Sequence, residues 1–260
     1  MCLLIIAYRH HPYYPLILLA NRDEYYERPT APAHFWKDAP WVLGGKDLRG
    51  GGTWLGITHT GRIAAITNYR DPAHEKKGAP SRGMLVKDFL VRKDPPLYYL
   101  QELSKKSAAY NGFNLIVGQG KELYWYSNRG QGIRHLSPGI IGLSNHLLDT
   151  PWPKVVKAKK ALARLLSSPT LLPEEAFFEI LLDRRPAKDS ELPDTGVGLE
   201  WERILSPIFI TSPVYGTRSS TLIFLDHQGE VTFVERTHDP NGPLPRTRKY
   251  QFRISSTARP

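Results

Sequence analysis

Cys2 is the only cysteine in the 260 residues and directly follows the initiator methionine. Initiator methionine is normally removed when the second side chain is small, and cysteine qualifies. The mature chain then begins with a thiol and a free α-amine on one residue. That amine has an unperturbed pKa near ~7.7–8.0, so near neutral pH it accepts a proton. It can serve as the base for its own nucleophile, directly or through one water. The plainer alternative is an accidental second-position cysteine. The run Cys2–Tyr8 is apolar enough to be a strand buried on both faces, and this context weighs the two alternatives evenly.

A second constellation is Asn21-Arg22-Asp23-Glu24, which closes the apolar run Leu16–Asn21. If the two runs form a hairpin, the tetrad returns to the neighbourhood of Cys2. Strand alternation sends Asn21 and Asp23 to one face and Arg22 and Glu24 to the other. A nearby arginine lowers thiol and amine pKa values alike. A carboxylate can orient the amine or an attacking water. The alternative is a charged strand end with a surface ion pair.

Asn68 and Asn145 each close a predicted strand. An asparagine amide can donate to a developing oxyanion, and it can equally form a turn. Arg218, within Gly216-Thr217-Arg218-Ser219-Ser220-Thr221, can add positive charge to a cleft, or the hydroxyls can simply cap a strand. Gly44-Gly45 and Gly50-Gly51-Gly52 lack the Gly-Lys-Ser/Thr that a phosphate loop needs, and are read as tight turns. His10-His11 are adjacent, a poor spacing for sharing a metal on a strand.

The elements that must position these residues follow from pattern and punctuation. Strands are predicted at Cys2–Tyr8, Leu16–Asn21, Thr53–Thr58, Arg62–Asn68, Phe113–Gly118, Glu122–Ser127 and Gly139–Asn145. Three more follow at Ile208–Ser212, Ser219–Asp226 and Val231–Thr237. Helices are predicted from Ser81 to about Val91, near Leu97–Lys105, from Pro153 to Leu166 and from Pro173 through Leu182. The Pro-rich stretch Glu27–Ala39 reads as a polar connection. Segregated hairpins and helices argue an α+β fold rather than a doubly wound parallel sheet. Strands buried on both faces need two stacked sheets between helices. No repeat or Gly/Ser linker divides the chain, so one domain spanning 1–260 is expected.

Composition narrows the classes. One cysteine excludes an internal disulfide framework and a multi-thiolate metal cage. No apolar run approaches the ~18 residues of a spanning helix, and the N-terminus lacks the basic head of a signal peptide. A cytoplasmic location is expected. The net charge of +10 is spread along the chain rather than gathered in a nucleic-acid arm. It fits a solvated basic surface, or an anionic small-molecule partner. The helix at 153–166 carries Lys154, Lys157, Lys159, Lys160 and Arg164, which suits a solvated face or weak contact with an anionic membrane surface.

The opening Met-Cys-Leu-Leu, Asn21-Arg22-Asp23-Glu24 and Gly51-Gly52-Thr53-Trp54-Leu55-Gly56 resemble the NRDE family. So do Thr67-Asn68-Tyr69-Arg70, Tyr110-Asn111-Gly112-Phe113-Asn114-Leu115, Gly142-Leu143-Ser144-Asn145, Pro151-Trp152-Pro153-Lys154-Val155 and Tyr215-Gly216-Thr217-Arg218-Ser219-Ser220-Thr221. These motifs run in order from Cys2 to about Asp226. The resemblance implies the N-terminal nucleophile hydrolase fold, a four-layer αββα sandwich of two antiparallel sheets. More distantly it implies kinship with cysteine amidases, which use an N-terminal Cys, an early Arg and Asp, oxyanion asparagines and a late Arg. Cys2, Arg22, Asp23, Asn145 and Arg218 occur in that order, and Asn68 is carried over as a second oxyanion asparagine. In the amidases the early Arg and Asp are separated by other residues, whereas here they are adjacent.

Two functions are therefore expected to compete. One is hydrolysis of a linear amide or related acyl bond by Cys2, with no separate cofactor. The other is a non-catalytic carrier of haem, acyl-coenzyme A or another amphipathic anion. The positive charge, 6 tryptophans and 13 tyrosines suit the carrier at least as well.

Overall fold

The computed structural model describes residues 2–255 except 121, 169–172, 240–241 and 243–244, and of Cys2 only the backbone. Met1 and the Cys2 side chain, on which the nucleophile expectation falls, lie outside the described residues.

The first sheet is entirely antiparallel and runs β10 (Gly139–Leu143), β1 (Cys2–Tyr8), β2 (Leu16–Tyr25), β11 (Tyr215–Leu225), β12 (Glu230–Thr237), β13 (Arg246–Arg253). The second, also antiparallel, runs in chain order through β3 (Thr30–Trp36), β4 (Ala39–Asp47), β5 (Leu55–Thr58), β6 (Arg62–Asn68), β7 (Phe113–Gln119), β8 (Glu122–Ser127) and β9 (Ile133–His135). Helices α1 (Gly83–Val91) and α2 (Pro96–Ser104) cover the second sheet. Helices α3 (Pro153–Leu166) and α4 (Glu174–Leu181) cover the first, and a short α5 (Leu199–Leu205) follows. The αββα layering is thus as the sequence predicts. Among the described residues no helix is long and apolar enough to cross a membrane.

The central strands show why the runs are apolar on both faces. Leu3, Ile5 and Ala7 of β1 pack with α3 and α4, while Leu4, Ile6 and Tyr8 pack between the sheets. In β2, Ile17 and Leu19 take the helix side and Leu16, Leu18 and Ala20 the intersheet side. A residue's parity in β2 therefore states its layer, and the tetrad inherits this rule.

Four expectations need correction. The Pro-rich stretch 27–39 is not a connection, since it supplies β3 and the start of β4. Ala33, Trp36 and Ala39 are buried there, and Pro32 is tolerated because β3 is an edge strand. The stretch at Ile208–Ser212 is not a strand, apart from one isolated bridge between Thr211 and Gly216. Its polar groups find other partners: the Ile208 carbonyl accepts from Asn21 and the Ile210 amide donates to the Thr217 hydroxyl. β13 was not anticipated because its sequence, Arg246 to Arg253, is dominated by polar and charged residues. That suits a largely exposed edge strand. Gly44 and Gly45 lie inside β4, not in a turn.

Candidate functional site

The site grows from the open end of the β1–β2 hairpin. The register sets Cys2 directly across from Arg22 and Leu3 across from Asn21. By the parity of β2, Arg22 faces between the sheets. Its guanidinium lies over the indole of Trp54, 4.3 Å from the ring centroid. Trp54 in turn needs glycine at position 45, where a Cβ would stand 2.3 Å from the ring. Only 5% of Arg22 is exposed. Its Nη2 is 3.9 Å from a Glu24 carboxylate oxygen. Its Nη1 is fully buried with no hydrogen-bond partner in the structure.

Asp23 occupies the opposite face, as alternation requires, and is buried. Its Oδ1 accepts from the Thr217 hydroxyl at 2.7 Å, and its backbone carbonyl accepts from the Tyr215 hydroxyl at 3.0 Å. Burial pushes its pKa up from the ordinary aspartate range. Lys154, the Thr217 hydrogen bond and Arg22 oppose that rise. The contact with Thr217 depends on a bulge in β11: Thr217 pairs with Asp23 and Ser219 with Arg22, leaving Arg218 as the extra residue. Arg218 is thereby turned out of the ladder. Its Nη1 donates to the carbonyls of Tyr25, Tyr26 and Arg28 and so pins the turn after β2.

The other two tetrad residues have separate tasks. Asn21 ties β2 to the helical layer, its Nδ2 donating to the carbonyls of Leu181 and Ile208. Its Oδ1 accepts from Ser220, whose hydroxyl sits 3.0 Å from His238 Nε2. Since Ser220 donates to Asn21, His238 carries its proton on Nε2 and donates to Ser220. Burial, with Arg236 and Arg184 nearby, lowers the His238 pKa to about 4. Glu24 stands at the lip, 3.7 Å from Arg28, which itself pairs with Asp47 at 2.7 Å.

A cleft of about 310 Å³ opens here. One wall carries Arg22 and Trp54, another Asn68, and a third the residues Ser81, Arg82 and Gly83 that open α1. Asn145 is fully buried and does not line the cleft. Its Nδ2 donates to the Asn68 backbone carbonyl at 2.9 Å, and its own carbonyl accepts from the Arg70 amide. Asn145 therefore stands behind Asn68 and fixes the chain there. Arg218 likewise does not line the cleft. Of the candidates named from sequence, the cleft wall brings together Arg22, Asp23 and Asn68.

Residues 1–240 match the family described as Transport and Golgi organisation 2. The chain belongs to this family. It is 36% identical to the mouse Transport and Golgi organization 2 homolog, over 98% of this chain and 100% of that one. The bovine homolog is 37% identical over the same shares. Among solved structures, the C2A mutant of conjugated bile acid hydrolase from Clostridium perfringens superposes with a TM-score of 0.50 over 99% of this chain and 98% of that one, at 8% identity. That likeness is one of fold alone, the two stacked antiparallel sheets between helices.

Sequence reasoning missed several residues that build the site. Trp54 lay inside a motif without a task, and its role appears only when the second sheet is laid across the first. Lys154 was read as part of a solvated basic face, yet it is 4% exposed and its ammonium donates to the Leu205 carbonyl. Arg70 and Glu202 form a buried ion pair at 2.5 Å, with the Arg70 guanidinium 4.8 Å from the Trp152 ring. Lys154, Arg70 and Trp152 all fall within the motifs that carry the family resemblance.

Proposed function

We propose that this cleft is the acyl site of a cysteine N-terminal nucleophile hydrolase acting on a linear amide or related acyl bond. The observation that carries the reading is the β1–β2 register, which sets Cys2 across from the buried Arg22 on the cleft wall. After removal of Met1, the Cys2 amine takes the thiol proton and the thiolate attacks the carbonyl carbon. Arg22 supplies positive charge that favours the thiolate. Asn68, backed by Asn145, holds the oxyanion of the tetrahedral intermediate. That intermediate collapses to a thioester as the ammonium passes its proton to the leaving nitrogen. Water, deprotonated by the same amine, hydrolyses the thioester and regenerates the thiol.

A carrier of haem, acyl-coenzyme A or another amphipathic anion is the second reading. It is favoured by one observation: Asn145 and Arg218, two positions the amidases use, are engaged by backbone carbonyls and do not line the cleft.

Intact-protein mass spectrometry first establishes whether the chain begins at Cys2. Hydrolysis of a panel of acyl amides and acyl thioesters is then compared for the unsubstituted protein and Cys2→Ala, beside haem and acyl-coenzyme A titrations. The hydrolase requires turnover that falls by orders of magnitude in Cys2→Ala while ligand binding persists. Tight binding with no Cys2-dependent turnover on any substrate retires it in favour of the carrier.

A further inference from the structure

We propose that the cleft recognises its ligand through an oxyanion group, a carboxylate or a phosphate, held between Arg22 Nη1 and the opening turn of α1. Two independent features meet at this spot.

The first is Arg22 itself. It is 5% exposed, lines the cleft, and holds Nη1 buried with no partner. A buried, unpaired guanidinium nitrogen costs free energy, because no water or protein oxygen replaces its lost hydration. The indole of Trp54 covers one face of the group, and Glu24 approaches Nη2 alone. Nη1 is therefore buried and unpaired, and Nη2 has only the Glu24 carboxylate at 3.9 Å, beyond hydrogen-bond distance. A planar fork presented this way suits an oxygen of a carboxylate or phosphate.

The second is the start of α1. Ser81, Arg82 and Gly83 line the same cleft. This nine-residue helix has no side-chain cap at its N-terminus and no acidic residue in its first turn. Its positive end is thus not offset by its own sequence. Gly52 and Gly83 bring the helix start against the segment before β5 that carries Trp54. A Cβ on Gly52 would lie 2.2 Å from the Gly83 carbonyl carbon, and the Thr53 amide donates to the Gly83 oxygen. The glycines at 50–52 therefore do not themselves cradle a phosphate. Gly52 allows the close approach of its segment to the start of α1.

The acidic residues of the cleft do not occupy this position. Asp47 pairs with Arg28, Glu24 lies between Arg22 and Arg28, and Asp23 hydrogen-bonds Thr217 on the far face of β2. The proposal deepens the acyl-site reading by naming the class of ligand: an acyl compound with an acidic group close to the bond that faces Cys2. The binding half stands without the chemistry.

The experiment uses the full chain carrying Cys2→Ala, so that no turnover intervenes. Acetate, inorganic phosphate and pyrophosphate are titrated separately by calorimetry, and backbone and arginine side-chain amide shifts are followed by NMR. Saturable binding is expected for at least one anion, and the preferred anion tells carboxylate from phosphate. The largest shifts are expected at the Gly83 amide and the Arg22 guanidinium. Arg22→Met should weaken binding by about tenfold or more, the worth of one charge-assisted hydrogen bond. If Arg22→Met does not fold, the shift map on the Cys2→Ala chain still decides the location. No saturable binding of any of the three overturns the proposal. So do shifts that gather instead on the separate groove lined by Lys157, Lys160 and Arg185 beside α3. Failure here with Cys2-dependent turnover intact removes the oxyanion cradle and leaves the hydrolase. The reverse outcome removes the hydrolase and leaves the cradle.

Discussion

Arg22 of β2 lies with its guanidinium 4.3 Å from the centroid of the Trp54 ring, so the two sheets meet at the cleft through a cation on an indole. A desolvated pair of this kind contributes up to about 2 kcal/mol, beyond the area that the ring buries. Trp54 is 9% exposed. Trp54→Ala should lower the unfolding free energy by about 3–5 kcal/mol. Chemical denaturation measures this, and a loss below about 1 kcal/mol would mean that the ring does not hold the sheets together.

Glu202 neutralises Arg70 in a setting where both are almost fully buried. Its other oxygen accepts from the amide and hydroxyl of Thr195. Glu202→Gln preserves shape and most of those contacts but removes the carboxylate charge paired with the buried Arg70 guanidinium. A cost of about 3–5 kcal/mol is expected. The urea midpoint reads it, and an unchanged midpoint would refute the importance of that charge pair.

Glu235 of β12 reaches across to β3, its Oε1 accepting from the Ala33 amide at 2.6 Å. Burial pushes its pKa from 4.5 to about 7, against the Ala33 hydrogen bond and the charges of Arg248 and Arg22. The folded state thus holds the proton more tightly than the unfolded one. This stabilisation is complete below the unfolded value and is lost as pH rises through about 7. At about 1.36 kcal/mol per pH unit the loss is on the order of 3 kcal/mol. Glu235→Gln should flatten the decline of stability between about pH 4.5 and 7, the window spanned by the two values, as read by thermal unfolding across that range. An equally steep decline in the variant assigns it to other groups.

His238 works in the opposite sense. Its pKa falls from 6.5 to about 4, so its contribution to stability is present above the unfolded value and is lost as pH falls through about 4. An NMR titration of the ring should give a midpoint near 4, with the proton on Nε2 above it. A midpoint near the ordinary histidine value would contradict the burial and the neighbouring Arg236 and Arg184 charges that lower it.

Gly52→Ala places a Cβ 2.2 Å from the Gly83 carbonyl carbon, and neither backbone can yield cheaply. A loss of about 1–3 kcal/mol is expected, as in other overpacked sites. Gly78→Ala has open space around it, but it carries a positive φ of 74°. It therefore serves as a control for backbone strain without a clash. Comparable losses in the two variants would show that the approach of residue 52 to α1 carries no special constraint.

The two-sheet α+β architecture was legible in the residues because the apolar runs at 2–8 and 16–21 have no polar face and must be covered on both sides. The position of the tetrad followed from the same runs, since the turn between two neighbouring strands returns the end of the second to the start of the first. Alternation then assigned Arg22 and Asp23 to different layers, and the structure keeps that assignment. Motif order carried the family. The edge strands β3 and β13 were not legible, because Pro32 and a mostly polar run mimic a loop when the partner strand is unseen. The tasks of Asn145 and Arg218 were equally hidden. A side chain's type states what it can donate or accept. Which carbonyl it meets depends on how segments far apart in the chain are brought together. The bulge at Arg218 and the pairing of residues 68 and 145 are such long-range events. So is the unpaired arm of Arg22: local sequence made it a cation on the intersheet face, and only the packing of Trp54 and the second sheet against it left Nη1 buried without a partner.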